Sequence, residues 1–492
     1  MRVDVVVVGS GFGGLGAALT LARAGANVTL CEALSYPGGC ASTFRRGGNR
    51  YESGATLFSG FDEHQLFGRW IRELGLDVEF DPIDPLVEHR TPSHRLVIER
   101  DRDKLEAQLV AMAGAPTAGI RELFALQRKV ADILWPLFDR PEAIVPKNLD
   151  TLVWHAKRIP AYTGLVGLLG KSLEEVLERF GVAKFAPLRT YLDALCQITV
   201  QCPASDAEAL FALSAADYYF RGTGHVRGGI GRLASELARA IGRFGGSVSF
   251  ANSVRHVGRR ARGFVVTTRR GEIESDAVVL NLLPHSARLL ADLGPSGQAR
   301  LDALGRRVED GWGAVMLYGV TRSPADAKRG ALHLDLVADE ARPHTNGNHA
   351  FLSISGADDG HAPEGLRAFT ASTHVRLSEL RSLAPSDRVA AIEHAQAALR
   401  STLDTLAPEW MAGMESSMTG SPRTFERFTQ RPLGYVGGIP RRKGLHNYLD
   451  VGVFTIEDGL YLVGDSVVPG QSTLATTVGG VRAADHVLDT FG

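Results

Sequence analysis

The chain has 492 residues, 44% of them apolar and 22% charged, with a formal net charge of −1. That length provides two or three domains' worth of chain and room for a buried ligand, and the balanced charge excludes a global field for nucleic acid. The four cysteines (Cys31, Cys40, Cys196, Cys202) include no CxxC pair, which excludes a zinc ribbon or thioredoxin-like centre and points to a reducing, cytoplasmic setting.

In chain order, Val5 to Val8 form an apolar run ending at Gly9, the pattern of a strand buried on both faces. Ala17 to Ala24 reads as a small-residue helix and Val28 to Glu32 as the next parallel strand. The N-terminus lacks the basic region and cleavage site of a signal peptide. From about residue 60 to 220 the pattern becomes helical. Ile120, Leu123, Leu126, Val130, Leu134 and Leu137 recur at helical spacing, with Pro136 expected to perturb the last turn, and Ser172 with Glu175 reads as a capping box. Residues 221 to 285 return to α/β: a helix from Leu233 to Phe244, short strands around Phe264 and Ile273 separated by a turn at Arg270 and Gly271, and a buried strand at Val278 to Leu280. Residues 286 to 424 read as an α+β insert. The last segment gives a short strand, Leu460 to Val463, then a helix from about Leu474. No run reaches 18 near-continuous apolar residues, so no membrane span is expected.

Three motifs carry chemistry. Gly9-Ser10-Gly11-Phe12-Gly13-Gly14 is a GxGxxG between a strand and a helix, and Glu32 closes the second strand eighteen residues after Gly14. The glycines permit a tight turn and close approach of a pyrophosphate to the helix N-terminus, and the carboxylate suits ribose hydroxyls and disfavours a 2′-phosphate. Gly38-Gly39-Cys40-Ala41-Ser42 and Ser53-Gly54-Ala55-Thr56 are small-residue turns suited to a flat cofactor. Val463-Gly464-Asp465, followed by Pro469-Gly470-Gln471, sets an acid after a strand and before a helix. Gly228-Gly229-Ile230-Gly231 precedes a helix but no clear strand leads into it, so a separate nicotinamide domain is not expected.

These residues resemble a known family. The Gly9 to Glu32 unit is similar to FAD-binding oxidoreductases in general. Tyr36-Pro37-Gly38-Gly39-Cys40-Ala41-Ser42, Gly420-Ser421-Pro422-Arg423-Thr424, Gly464-Asp465-Ser466, Pro469-Gly470-Gln471, the GGIGRL within Val226 to Leu233, and Ala362-Pro363-Glu364-Gly365 look like phytoene desaturases and carotenoid isomerases of the flavin amine oxidase superfamily. Tyr36 stands where many flavin amine oxidases carry a basic residue, Asp465 where they carry Glu, and Ser472 where plant-type isomerases carry Gly.

The resemblance implies an α/β fold: a Rossmann-like FAD-binding domain made of residues 1–60, 221–285 and 425–492, and a discontinuous α+β substrate domain made of 61–220 and 286–424. It implies that Gly9, Gly11, Phe12, Gly13, Gly14, Glu32 and Ala33 hold the ADP half of FAD. Gly39, Cys40, Ala41 and Thr56 would lie along the pyrophosphate and ring, with Val254 at the adenine. Gly464 and Asp465 would meet the ribityl chain, and Gly470, Thr473 and Leu474 the isoalloxazine. It names no catalytic acid or base and no metal. The implied activity is hydride transfer from a long apolar isoprenoid or carotenoid-like polyene, with oxygen or a quinone as acceptor. Isomerisation or saturation by reduced FAD, amine or porphyrinogen oxidation, and a non-catalytic flavin or pigment carrier are the alternatives.

Several other features read as structural. His333, His349 and His374 have no metal-ligand spacing and read as surface or core residues, and Trp154 and Trp312 read as core or interface residues, with a substrate-channel role as the alternative. Arg441-Arg442-Lys443 reads as a solvated loop, with a cofactor-adjacent or membrane-surface contact as the alternative. Ala161 to Gly170 reads as a core helix or a peripheral membrane contact on the inner face, with Leu165 and Leu168 the residues that would touch lipid.

Overall fold

The four valines become the centre of a six-stranded sheet. The computed structural model describes residues 3–492. The sheet order is Phe454–Glu457, Leu460–Leu462, Ala277–Leu280, Asp4–Val8, Asn27–Cys31, Ser247–Ser249, parallel except for the first edge strand. Val5 pairs with both Ala277 and Val28, and Val5 to Val8 are all at most 5% exposed. The run is apolar on both faces because both are covered: Val5 and Val7 pack against helices, and Val6 and Val8 share a core with Val257, Phe264 and Val266 of a three-stranded antiparallel sheet, Val254–Arg259, Phe264–Thr268 and Gly271–Ser275.

Helix Phe12–Arg23 starts directly at the glycine motif, five residues before the expected Ala17. It packs against the C-terminal helix Thr473–Phe491 at backbone distance: a Cβ at Gly480 would collide with the Gly13 carbonyl. Gly14 has a similar role, since a Cβ there would collide with the carbonyl of Gly9.

The second sheet has the order Met414–Gly420, Trp312–Arg322, Leu366–Arg376, His349–Ile354, Leu332–Val337, Val87–Arg90, Arg95–Ile98, with Tyr435–Val436 added beside Trp312 and Gly313. Helix Pro385–Leu406 places Ile392, Leu399 and Leu403 on one of its faces. The stretch 61–220 is therefore less purely helical than its sequence suggests, since Val87–Arg90 and Arg95–Ile98 finish this sheet. The strands are short and carry Glu88, His89 and Arg90, which hides the apolar signal.

The amphipathic helix runs Thr117–Leu134, and Pro136 opens a new short helix, Pro136–Asp139, instead of fraying the old one. A proline at N1 loses no hydrogen bond. The Ser172–Glu175 capping box forms as read. The helix expected at Leu233 spans Ile230–Arg243, and a strand does lead into it: Gly224–Val226, paired with Phe80–Pro82. Three residues of a two-stranded ribbon give too little alternation to be seen in sequence. The N-terminus of that helix is filled by the chain itself. Ile230 N donates to Glu52 Oε1 at 3.1 Å and Gly231 N to Thr43 Oγ1 at 2.9 Å, so a carboxylate sits where a phosphate would in a second dinucleotide site.

Ala161 to Gly170 is not one helix. It breaks into Ile159–Thr163 and a single turn at Val166–Leu168. Leu165 and Leu168 are buried in the helical core, which corrects their reading as lipid-facing; Ile159, Val166 and Leu169 are the exposed ones. Trp312 is core as read, and Trp154 is half-buried beneath the Arg158 guanidinium, 3.7 Å from its ring centroid.

Candidate functional site

The C-terminal ends of the parallel strands open onto a cavity of about 730 Å³. Crevices at this end are where α/β sheets hold ligands. Gly9, Gly11, Phe12, Gly13, Glu32, Ala33, Gly39, Cys40, Ala41, Thr56, Val254, Gly464, Asp465, Gly470, Thr473 and Leu474 all line it. Gly14 does not; it sits behind the glycine turn, packed on Gly9.

The first turn is built around Glu32. Its Oε2 accepts from Ser10 N at 2.7 Å and Ser10 Oγ at 2.6 Å, and its Oε1 accepts from Leu34 N at 2.8 Å. The carboxylate is thus held rigidly at the cavity wall with acceptor capacity to spare. Gly9 adopts φ +92°, open to glycine and few others. No side chain caps helix Phe12–Arg23, so its first N–H groups and positive dipole end face the cavity.

Asn281 escaped the sequence reading. It follows strand Ala277–Leu280 and lines the cavity, and its Nδ2 donates to Gly9 O at 3.4 Å. Cβ atoms added at Gly11 or Gly13 would come within 2.8 Å of its amide group. Its sequence signal was its place: a polar residue immediately after a buried parallel strand.

At the other motif, Asp465 is paired. Arg431 Nη2 donates to Asp465 Oδ2 at 2.7 Å and to Gly437 O at 2.9 Å. Burial works against the Arg431 charge, but the Asp465 carboxylate keeps its pKa raised. No local sequence signal marks Arg431. It is delivered by helix Pro422–Thr429, whose start explains the Gly420 to Thr424 motif: Ser421 and Thr424 form a capping box with Pro422 at N1. Cys40 is no thiolate, since burial pushes its thiol up and Arg431 only partly offsets this. All four cysteines are free. Thr473 Oγ1, buried at the start of the last helix, has no hydrogen-bond partner. Ser472 before it adopts φ +99° and caps Ala475 N at 3.0 Å.

The remaining walls are apolar and aromatic, including Leu134, Trp135, Phe138, Leu210, Tyr219 and Phe351. Thr56 Oγ1 accepts from Ser353 Oγ at 2.6 Å, and Ser353 in turn bonds His333 Nδ1 at 2.8 Å. His374 also lines the cavity; burial, aided by His349, pushes it down to about 3, so it faces the cavity as a neutral imidazole. His333 and His349 are buried and His374 is half-buried on the cavity wall, and no group of three or more ligating side chains suited to a metal occurs among the described residues. Arg441 corrects the solvated-loop reading: it is 7% exposed and lines the cavity. Arg442, by contrast, lies between Asp206 and Asp310.

Comparison with known proteins agrees with this geometry. A family model described as flavin-containing amine oxidoreductase matches residues 12–488. Prolycopene isomerase of Arabidopsis thaliana chloroplasts is 24% identical over 547 aligned positions, covering 99% of this chain and 83% of that protein. Hydroxyneurosporene desaturase of Cereibacter sphaeroides is 27% identical over 505 positions, covering 98% of this chain and 97% of the relative. Among solved structures, an oxidoreductase from Methanosarcina mazei superposes with a TM-score of 0.68 at 18% identity, covering 99% and 100% of the two chains.

Proposed function

This chain belongs to the family of flavin-containing amine oxidoreductases, and on that premise we propose that it acts on a long apolar isoprenoid or carotenoid-like polyene, with desaturation as the leading reaction. It is an FAD-dependent oxidoreductase. The residues present fit that cofactor. Glu32 is fixed with spare acceptor capacity, the helix Phe12–Arg23 N-terminus is uncapped, and the Thr473 hydroxyl lacks a partner. Gly9, Gly11, Phe12, Gly13, Glu32 and Ala33 would hold the ADP half, with Val254 at the adenine. Gly39, Cys40, Ala41, Thr56, Gly464 and Asp465 would follow the pyrophosphate and ribityl chain, and Gly470, Thr473 and Leu474 the ring. Gly14 would act through packing alone.

The same reading divides the chain into a cofactor unit (1–60, 221–285, 425–492) and a substrate unit (61–220, 286–424). In support, every strand of the six-stranded sheet lies in the first set, and only Tyr435–Val436 crosses into the second sheet.

FAD supplies acceptance of a hydride at N5; the chain positions the C–H bond, excludes water and lets the neighbouring proton leave. The observation that carries the substrate class is the character of the walls. Away from Glu32 and the Arg431-paired Asp465, no carboxylate lines the cavity, so an amine would meet no free counter-charge. Affinity for a polyene would come from buried area, about 25 cal/mol per Å² before binding costs. Isomerisation is the second reading, favoured by the isomerase whose sequence aligns over 99% of this chain.

The test is anaerobic titration of the flavin spectrum with phytoene and with lycopene isomers. Bleaching with a red-shifted product is expected for desaturation, and a cis–trans change that requires pre-reduced flavin for isomerisation. Bleaching by amines alone would overturn both readings. Oxygen and a quinone are the proposed acceptors, distinguished by reoxidation rates of the reduced enzyme.

A peripheral membrane contact belongs to the same proposal. No helix among the described residues is long and apolar enough to cross a membrane. Leu149 (76% exposed), Leu152, Ile159 and Val166 (61%) are nonetheless bare, and Leu445 (63%) packs beside Gly170. Nearby Tyr448 and Val451 line the cavity, so lipid-borne substrate would meet its mouth. Loss of liposome flotation in Leu152→Asp/Val166→Asp, with flavin retained, is the expected result.

A further inference from the structure

Buried guanidinium groups in this fold follow a rule. Arg431 faces the carboxylate of Asp465. Arg367, 1% exposed, donates to the carbonyls of Ser355, Lys328 and Gly330 at 2.5–2.9 Å. Arg482 donates to Val451 O at 2.6 Å and Val468 O at 3.4 Å.

Arg441 breaks the rule. Its side chain makes one hydrogen bond, from Nη2 to Pro469 O at 3.5 Å, and its carbon Cζ lies 5.1 Å from the centre of the Phe211 ring. The charged groups that face it are cationic: Arg307 disfavours its charge, and Arg441 in turn disfavours that of His446. Arg307 has Asp450 at 3.5 Å, but no carboxylate lies within 4 Å of Arg441 among the described residues. The backbone is pinned from both directions, Arg441 N to Val200 O at 2.9 Å and Glu208 N to Arg441 O at 2.8 Å. The guanidinium lies beside Gly470, with Nη2 3.0 Å from where a Gly470 Cβ would stand.

A largely buried guanidinium with one long bond to protein turns its remaining N–H groups to the cavity, where a ligand that supplies acceptors would meet them. We propose that Arg441 anchors an anionic oxygen group inside the cavity. The group has two possible sources: a carboxylate at one end of a long apolar substrate, or the bound ring as it gains negative charge on reduction. The inference rests on the cavity's holding FAD and a long apolar ligand. A substrate carboxylate would fix which end of the chain enters first, which the apolar walls alone cannot do. A ring contact would stabilise the reduced cofactor.

The experiment uses purified holoenzyme, Arg441→Gln and Arg441→Lys, each checked for flavin content. The readouts are binding of all-trans-retinoic acid, of its methyl ester and of lycopene by perturbation of the flavin spectrum, and the flavin midpoint potential. If the substrate carries the anion, the acid binds wild type at least tenfold tighter than the ester, Arg441→Gln erases the difference, Arg441→Lys restores part of it, and the potential stays put. If the ring carries it, acid and ester bind alike, and Arg441→Gln shifts the oxidised–reduced equilibrium about tenfold, about 30 mV for two electrons. Equal binding of acid and ester together with an unchanged potential in Arg441→Gln overturns the proposal. Should none of the three apolar probes bind, the apolar reading of the cavity fails by itself, and the potential still decides the role of Arg441.

Discussion

The two sheets of this molecule are stabilised by different means. In the parallel sheet, Val5 to Val8 and Ala277 to Leu280 are buried and apolar throughout. In the second sheet, antiparallel except where Leu332–Val337 runs parallel to Val87–Arg90, Glu88, His89, His333, Asp335, His349 and Arg367 are all under 5% exposed. Asp335 lies between His89 Nδ1 at 2.8 Å and His349 Nε2 at 2.5 Å. Burial alone would push its carboxyl up, but the two imidazoles hold it well below the usual carboxylate range. Cover on both faces, helices on one and a small antiparallel sheet on the other, keeps the central strands of one sheet apolar, while the other sheet walls a cavity and buries charge. The parallel sheet should therefore be indifferent to pH and the second, mixed sheet should not.

The largest expected effect is acid destabilisation. Burial, the larger cause, holds His333 and His374 at about 3 and His344 at about 4; His225 adds to it for His333, and His349 for the other two. An unfolded histidine titrates near 6.5, so below that pH the unfolded state binds more protons and stability falls. The slope is about 1.4 kcal/mol per pH unit for each residue, or about 4 for the three together. Asp335, whose folded pKa is depressed, keeps its stabilisation above about pH 4 and loses it only below. Urea midpoints from pH 8 to pH 4 would show this; a flat profile down to pH 5 would break the comparison.

Next in size is Asp335→Ala, which leaves two buried imidazole nitrogens without their acceptor and should cost about 3 kcal/mol, measured by urea unfolding at pH 7.5. Glu32→Gln acts at the other sheet and through the cofactor. The amide would turn a donor toward Ser10 or Leu34 N–H groups, so the apoprotein should lose about 1 kcal/mol and FAD affinity should fall by about 1.5–3 kcal/mol, read by urea unfolding of the apoprotein and equilibrium dialysis of the flavin. The smallest is Ser472→Gly. Glycine suits φ +99°, but the cap on Ala475 is lost, so unfolding free energy should stay within about 0.5 kcal/mol of wild type. A larger loss would mean the Ser472 hydroxyl does more than cap.

By itself the sequence determined the glycine turn, its strand and helix, the place of Glu32 and the Ser172 capping box, because each depends on residues close along the chain. It also carried the family resemblance, and with it FAD. It did not reveal Asn281 at the glycine turn, the pairing of Arg431 with Asp465, the strands Val87–Arg90 and Arg95–Ile98 in the second sheet, or the burial of Arg441. Each of these depends on groups brought together from distant parts of the chain. Only the folded backbone decides which charge is desolvated, and beside which partner.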